Sequence, residues 1–302
     1  MVQAAHGLVK ELWYDVPDMA DALVAQMAAD NPNKVPNPWP LLYDAVGELY
    51  AGSIMVVCAR PEVGKSIWAI NLAARLSQRQ EEGCVLYFSM EMSKEQVAAR
   101  YLQSVSGNNK TNVTDAIQSK GQQPECLSDA LMHGNRFVCV DQGTMTLEDA
   151  STILMEVREW VGIPVRWVVF DHFQLLRSKD HRRSFYETYT EISRALKRWA
   201  KEEGVAVLSL SQLARSAPPA WEAPTLDGMR DTGAIEEDCD VCLGLWRPEL
   251  DPEFEETVKG DPTWAQYRDV LRSRILKGRS GGTGTVLEWC WAKSTCQLSE
   301  RI

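Results

Sequence analysis

The chain lacks the features of a membrane-inserted protein. None of its apolar runs approaches the roughly 18 residues that a membrane-spanning helix needs. The first thirty residues contain no basic start followed by a hydrophobic block. The sequence also has no internal repeat and no low-complexity tract. We therefore expect a cytoplasmic protein with no membrane partner.

Positive charge is also in deficit. The 302 residues include 32 Lys and Arg against 42 Asp and Glu, which gives a formal net charge of −10. Taken alone, this balance argues against a protein that coats nucleic acid or an anionic membrane. The 45% hydrophobic and 25% charged content is typical of a folded globular protein, with one large domain or two ordinary ones.

The eight cysteines do not form a recognisable disulfide framework. They are spread along the chain, and several lie in hydrophobic stretches, which favours reduced and buried thiols. Cys239 and Cys242 form a C-x-x-C pair, but no second pair has zinc-site spacing. Because their segment resembles a strand, we expect the two side chains to lie on opposite faces, which disfavours a metal or redox site.

Residues 1–40 differ in pattern from the rest of the chain. Asp15 and Pro17 suit the start of a helix. Four apolar residues then fall on one face at helical spacing: Met19, Leu23, Val24 and Met27. The segment NPNKVPNPWP follows, and its four prolines predict a linker. The apolar stripe of the helix would be buried either on its own domain or on a neighbouring subunit.

Residues 41–302 alternate short, β-rich apolar runs with helical patterns. This alternation is typical of an α/β protein with a central, largely parallel twisted sheet flanked by helices. The runs that we interpret as strands are 54–58, 84–89, 137–140, 167–170, 205–210 and 241–246. We also expect two strands joined by the Gly-rich turn RSGGTGT within residues 274–288, whereas the polar stretch 106–134 gives no clear prediction.

The strongest local pattern is ARPEVGKS, which follows a predicted strand and precedes the helical pattern IWAINLAARL. In a P-loop, backbone N–H groups at a helix N-terminus cradle phosphates, the lysine reaches the β and γ phosphates, and the serine binds Mg²⁺. The usual first glycine is replaced by alanine, and the alternative is a chance GKS in a turn. The segment predicts binding of ATP or another nucleoside triphosphate by Ala59, Arg60, Pro61, Glu62, Val63, Gly64, Lys65 and Ser66.

Three polar residues are predicted at the carboxyl edge of the same sheet. Asp171 ends the strand RWVVFD and is a candidate metal ligand, while Glu91 follows CVLYFSM and is a candidate for activating water. Each acid could instead stabilise a helix N-terminus. Gln212 ends VAVLSLSQ, where its amide could sense the γ-phosphate.

The motifs together resemble the ATPase domain of DnaB-type replicative helicases. The resemblance extends over roughly residues 39–299 and includes FSMEMSKEQVAAR, VVFDHFQLL, LDGMRDTGAIEEDCDVCLGLWRPE and KGRSGGTG. It implies a RecA-like fold, a ring of subunits (a hexamer) with nucleotide between neighbours, and movement on single-stranded DNA in the 5′ to 3′ direction during replication.

The resemblance also implies roles for individual residues. Lys65 and Ser66 would bind nucleotide and Mg²⁺, Asp171 would be the second acidic motif, and Glu91 the catalytic carboxylate. Arg100 matches an arginine on the phosphate side of the site, and Gln212 matches a residue that couples the γ-phosphate to DNA contacts. Lys277 and Arg279 match a basic pair that acts in trans on the neighbouring subunit's nucleotide. Their alternative is ordinary surface charge on a turn.

Three loops are candidates for contact with single-stranded DNA. Residues 177–201 contain eight basic and three acidic side chains, and a channel role is favoured for residues 177–183 whereas a solvated helix is favoured for 194–201. The second loop follows Gln212. The third loop, residues 230–233, resembles a family segment that touches the phosphate backbone of DNA. The residues concerned are Arg177, Arg182, Arg183, Arg215, Arg230, Asp231 and Gly233.

One departure from the family and two alternatives accompany this interpretation. Only about forty residues precede the ATPase domain, so we expect a stand-alone motor of plasmid or phage type, with a possible helicase loader and a doubtful primase interaction. A RecA- or RadA-like recombinase that forms filaments shares the fold and the P-loop. A nucleotide-binding accessory protein without unwinding activity is the other alternative. The FSMEM and KGR segments favour the helicase.

Overall fold

A computed structural model describes residues 16–27, 31, 33–79, 83–118, 136–178, 185–214, 216–228 and 237–302. In these ranges the strands are β1 (Lys34–Val35), β2 (Leu49–Tyr50), β3 (Ile54–Ala59), β4 (Cys84–Ser89), β5 (Phe137–Asp141), β6 (Val165–Asp171), β7 (Ala206–Gln212), β8 (Val241–Trp246), β9 (Val270–Gly278), β10 (Val286–Ala292) and β11 (Gln297–Glu300). The α-helices are α1 (Val16–Met27), α2 (Pro40–Val46), α3 (Lys65–Ser77), α4 (Lys94–Ser106), α5 (Lys110–Gln118), α6 (Leu147–Val161), α7 (Phe185–Glu202) and α8 (Phe254–Gly260).

Nine strands form one sheet in the order β11-β10-β9-β8-β3-β7-β6-β4-β5. Six neighbouring strands of this sheet run parallel to one another: β8, β3, β7, β6, β4 and β5. The other three, β9, β10 and β11, continue the sheet antiparallel. Parallel strands need crossover helices, and α3, α4, α6 and α7 lie between them along the chain. The predicted α/β class with a largely parallel sheet is confirmed.

The sheet is buried on both faces. Along β3, Met55, Val57 and Ala59 belong to one apolar cluster, whereas Ile54, Val56 and Cys58 belong to the cluster on the other face. Side chains alternate in this way because successive residues of a strand point to opposite faces. Two buried faces also explain why the central strands are continuous apolar runs.

The predicted strands are all present, with ends shifted by a few residues. The hairpin predicted within 274–288 is the turn between β9 and β10. The structure adds β11, which pairs with β10 and which the sequence did not indicate. Within the stretch that gave no prediction, residues 110–118 form α5.

The segment predicted as a linker is packed on the domain from residue 34 onward. Lys34–Val35 pairs with Leu49–Tyr50, and Val35 and Trp39 are buried in the core. The carbonyl of Pro36 accepts a hydrogen bond from the indole of Trp167 at 2.9 Å. Prolines disfavour a long ladder but permit this docking, because each fixes the backbone in an extended conformation or begins a helix, as Pro40 begins α2.

The predicted N-terminal helix is present as α1. Met19 and Val24 on its apolar stripe are exposed, by 52% and 72%. The apolar stripe was expected to be buried either on the chain's own domain or on a neighbouring subunit. The exposure of these two residues does not favour burial on the chain's own domain. Among the helices described, none combines the length and the apolar character that crossing a bilayer requires.

The two cysteines of the C-x-x-C pair do not point to opposite faces. Strand β8 begins at Val241, so Cys239 lies before the strand and is not subject to its alternation. The thiol of Cys242 contacts those of Cys239 and Cys58, and these contacts together with burial hold its pKa well above the usual range. The expectation that the two cysteines lie on opposite faces was wrong, since all three thiols belong to one apolar cluster.

Candidate active site

The P-loop connects the carboxyl end of β3 to the first turn of α3. Gly64 precedes the helix with a φ of 123°, which favours glycine, and a Cβ at this position would lie 3.1 Å from the ring of Trp291. The Lys65 ammonium donates to the carbonyl of Ala59 at 3.2 Å. Burial lowers the pKa of Lys65, and the nearby Asp171 and Glu91 carboxylates oppose that shift. The predicted loop therefore has a P-loop geometry, with a desolvated lysine at a helix N-terminus.

Asp171 is a buried carboxylate at the end of β6. It is 2% exposed and accepts a hydrogen bond from the Tyr87 hydroxyl at 2.6 Å and another from the Ser66 hydroxyl. Burial raises the pKa of Asp171, while the bonds from Tyr87 and Ser66 oppose the rise. The structure therefore brings together the two predicted metal ligands, and both offer the oxygen atoms that hard divalent cations prefer.

Glu91 lies beside this carboxylate. Strand β4 pairs with β6 so that Ser89 is opposite Asp171, and the Met90 amide donates to the Asp171 carbonyl at 2.8 Å. Glu91 is two residues further on, with its side chain 66% exposed. Ligand atoms of Glu91, Asp171 and His172 all lie within 4.8 Å of one another. An exposed carboxylate next to a buried one can orient water beside a bound phosphate.

His172 contacts Glu91 directly, which the sequence gave no reason to expect. Its Nδ1 lies 3.1 Å from Glu91 Oε2. An ionised carboxylate only accepts hydrogen bonds, so Nδ1 is the donor. The imidazole, whose side chain is 13% exposed, restricts the orientation of the more exposed glutamate.

Gln212 is joined to the end of β6 by a second amide that sequence reasoning missed. Gln174 donates through Nε2 to the Gln212 carbonyl and the Ser211 hydroxyl, both at 3.0 Å, and its Oε1 accepts from the Gln212 amide at 3.3 Å. Gln212 is opposite Ala59, the first P-loop residue. The hydroxyl of Tyr189 on α7 donates to the Gln174 carbonyl at 2.6 Å, so Gln174 links this edge to α7.

Arg100 lies near the Tyr87–Asp171 pair, and Trp291 borders the phosphate loop. The Arg100 guanidinium contacts the sulfur of Met92 and is near enough to Tyr87 to oppose the burial-driven rise of its pKa. Trp291 lies against Gly64 on one side, and the guanidinium of Arg247 stacks 4.4 Å from its ring centroid. The same edge therefore presents cations and an aromatic ring beside the carboxylates.

Lys277 and Arg279 lie at the opposite edge of the sheet. Gly278 is opposite Val241, and Val241 is opposite Met55, at the amino end of β3. From Ile54 to Ala59 the strand rises by about 16 Å, so neither side chain can reach the P-loop of its own subunit. Arg279 is exposed, which agrees with the alternative of surface charge on a turn, whereas Lys277 is half-buried near the end of β9. Both have specific partners: Lys277 donates to the Glu237 carbonyl at 2.7 Å, and Arg279 forms an ion pair with the Asp240 carboxylate at 3.0 Å.

Among the DNA-contact candidates, the structure describes only Arg177. It is exposed just beyond β6, and its backbone amide donates to the Met145 carbonyl at 2.9 Å. The remaining candidates lie outside the described residues: Arg182, Arg183, Arg215, Arg230, Asp231 and Gly233. Their roles stay predictions.

The comparisons agree with the motifs. Residues 40–299 match the family described as "DnaB-like helicase C terminal domain". Replicative DNA helicase DnaB of Geobacillus stearothermophilus is 28% identical over 77% of this chain and 49% of its own length. A probable plasmid replicative DNA helicase of Chlamydia psittaci is 31% identical over 85% of this chain and 55% of its own length. The chain thus spans about half the length of the curated relatives it matches.

Two solved structures show the same fold. A DnaB-like replicative helicase, whose structure was described with its interactions with primase, has a TM-score of 0.76 at 21% identity. That match covers 98% of this chain and 70% of the solved one. A structure described as an ATPase domain has a TM-score of 0.75 at 22% identity, over 95% of this chain and all of its own. By fold and by sequence, the chain belongs to the DnaB-like helicase C-terminal domain family.

Proposed function

We propose that the chain is the ATP-hydrolysing motor of a DNA helicase that acts in replication. The observation that carries the proposal is the division of the site between two sheet edges. Lys65, Ser66, Glu91 and Asp171 lie at the carboxyl edge, and Arg279 lies at the amino edge, beyond the reach of its own P-loop. A site divided in this way is completed only by a neighbouring copy, which supports a ring with nucleotide at each interface.

Each residue at the carboxyl edge has a separate part in hydrolysis. The α3 N-terminus and Lys65 bind the phosphates of ATP. Ser66 and Asp171 would hold Mg²⁺, which when bound would neutralise phosphate charge. Glu91 accepts a hydrogen bond from the attacking water and aligns it with the γ-phosphate. Arg279 of the adjacent copy stabilises the charge that develops on the transferred phosphoryl group, so hydrolysis depends on how neighbouring subunits are docked.

Gln212 provides a route from the phosphates to the DNA loops. It lies next to the first P-loop residue, and the loop that contains Arg215 follows it along the chain. A change at the γ-phosphate is passed to that loop by a displacement of Gln212. We propose that single-stranded DNA passes through a six-membered ring, in the 5′ to 3′ direction, with the complementary strand excluded.

The proposal is tested by unwinding of a forked duplex with ATP and Mg²⁺, together with electron microscopy on single-stranded DNA. We expect closed rings and strand separation that needs a 5′ single-stranded tail. Lys65→Ala is the inactive control, and Lys259→Ala, at an exposed ion pair with Glu256, is a matched surface control. Helical filaments would instead support a recombinase. Hydrolysis by rings without strand separation would support an accessory protein.

A further inference from the structure

The carboxylate of Asp240 contacts two cations and a backbone amide at the amino edge of the sheet. Its Oδ1 forms an ion pair with the Arg279 guanidinium, at an N···O distance of 3.0 Å. Its Oδ2 accepts from the Lys197 ammonium at 2.6 Å and from the Ile54 backbone amide at 2.7 Å. With its side chain only 15% exposed, Asp240 is a fixed acceptor, whereas the Arg279 side chain is 53% exposed. The carboxylate therefore restricts an arginine that would otherwise sample many rotamers.

Both cations of the proposed trans pair are held by the same short segment, residues 237–240. Lys277 donates to the Glu237 carbonyl at 2.7 Å, and the Arg279 backbone amide donates to the Asp240 carbonyl at 3.0 Å. The two cations flank Gly278 in the sequence, and each has its own contact with this segment. Residues 237–240 thus form the support on which the two cations are presented to the adjacent subunit.

The support is also tied to α7. The Ser193 hydroxyl donates to the Asp238 carboxylate at 2.7 Å, and Lys197 on the same helix donates to Asp240 and to the Gly52 carbonyl. Along the chain, α7 follows the first candidate DNA loop, and residues 237–240 follow the third.

We propose that Asp240 is a positioning residue, which orients Arg279 toward the nucleotide of the neighbouring subunit. The inference rests on the proposed ring function. Asp240 touches no nucleotide itself, because it lies at the sheet edge opposite its own P-loop. Asp240 acts by limiting the orientations that the Arg279 side chain samples. Because Arg279 is needed only in the transition state, its orientation changes kcat rather than KM.

The first test is the Asp240→Asn variant. Asparagine retains one oxygen that can accept from the Ile54 amide but loses the charge that attracts Arg279. We expect kcat for DNA-stimulated ATP hydrolysis to fall about tenfold with KM within twofold, because only the transition-state contact is affected. The matched carboxylate-to-amide control is Glu255→Gln, at an exposed ion pair with Arg268, which should leave both constants unchanged. If Asp240→Asn does not fold, Asp240→Glu keeps the charge, displaces it by one methylene and should lower kcat in the same direction.

Mixed rings separate positioning from a general structural defect. Asp240→Asn subunits keep an intact hydrolytic site but present a poorly placed arginine, whereas Glu91→Gln subunits have the reverse defect. In rings assembled from equal amounts, about one quarter of the interfaces combine the intact hydrolytic site with the intact arginine. We expect the mixture to regain about a quarter of the wild-type rate per ring, well above either variant alone, which misfolding of Asp240→Asn could not produce.

Two results would overturn the inference. One is a kcat within twofold of wild type in the folded Asp240 variants, and the other is a mixed-ring rate equal to the average of the two variants alone. The same mixture made with Arg279→Ala identifies which idea has failed. If Arg279→Ala is complemented and Asp240→Asn is not, only the role of Asp240 is refuted. If neither is complemented, Arg279 does not act in trans, and the proposed function fails together with the inference.

Discussion

The hydrogen bond between Tyr87 and Asp171 gives a prediction whose size follows from its chemistry. The two oxygen atoms are 2.6 Å apart, Tyr87 is fully buried, and Asp171 is 2% exposed. Hydrogen bonds to a charged group contribute about 1.5–3 kcal/mol to stability, against about 1 kcal/mol for neutral pairs. We therefore expect Tyr87→Phe to lower the free energy of unfolding by about 1.5–3 kcal/mol at neutral pH.

The chain contains a matched neutral pair. The hydroxyls of Tyr101 and Ser77 are also buried and lie 2.8 Å apart, so Tyr101→Phe removes the same atom from a similar environment. Its expected cost is about 1 kcal/mol, with no dependence on pH in the carboxyl range. Urea denaturation of wild type and both variants measures the difference.

The pH dependence has a definite sign. The Tyr87 bond favours the ionised form of Asp171, so it opposes the burial that raises the pKa of this carboxyl. Its contribution is therefore complete above that raised pKa and is lost as the pH falls through it. The cost of Tyr87→Phe should shrink toward that of Tyr101→Phe as the solution is acidified. Equal costs for the two variants at neutral pH, or a Tyr87→Phe cost that does not change with pH, would refute the assignment of a charged Asp171.

Three further predictions concern hydrolysis and DNA binding. Glu91→Gln should lower kcat for ATP hydrolysis by about 10²–10⁴ while nucleotide affinity, measured by a fluorescent analogue, changes by less than a few-fold; a large loss of affinity would contradict its role. His172→Asn places an amide donor near Nδ1 and should keep kcat within about threefold, whereas His172→Leu, which has no donor, should lower it about tenfold; equal rates would show that the Glu91 contact is unimportant. Arg230→Ala should weaken single-stranded DNA binding similarly across sequences and reduce the slope of log affinity against log salt by about one; an unchanged slope would remove Arg230 from the DNA path.

The candidate site residues that the sequence predicted are polar residues that end or directly follow an apolar strand. Asp171 and Gln212 are the last residues of β6 and β7, and Glu91 follows β4 by two residues, so parallel pairing alone brings them together. Lys65 and Ser66 follow a loop whose residue spacing matches a P-loop. For such residues, local pattern and sheet topology are sufficient.

The missed residues act through contacts that local pattern does not encode. Tyr87 lies inside the predicted strand 84–89, and a strand pattern does not show that its hydroxyl meets a carboxylate 84 residues away. Gln174 lies in a short 3₁₀ helix after β6, and Asp240 is joined to Ile54 across 186 residues. Cys239 was misplaced because alternation was extended two residues before the strand begins. Predicting each of these positions requires the tertiary structure, because the periodicity of the sequence does not contain the contact.

The net charge of −10 decides less about a DNA partner than it first suggests. At physiological salt, charges on the surface are screened over about 8 Å, so the sign of a local surface depends on nearby groups and not on the total. The two edges of the sheet illustrate this, since each carries both signs: Lys65 lies near Glu91 and Asp171 at one edge, and Arg279 pairs with Asp240 at the other. Six copies would carry about −60 in total and could still present a few arginines to a central channel, because a ring concentrates the same loop of every copy on its axis. An acidic subunit is therefore compatible with a DNA-binding ring. We expect DNA binding to depend on assembly, because the few candidate arginines of one copy would provide too few phosphate contacts to bind DNA strongly.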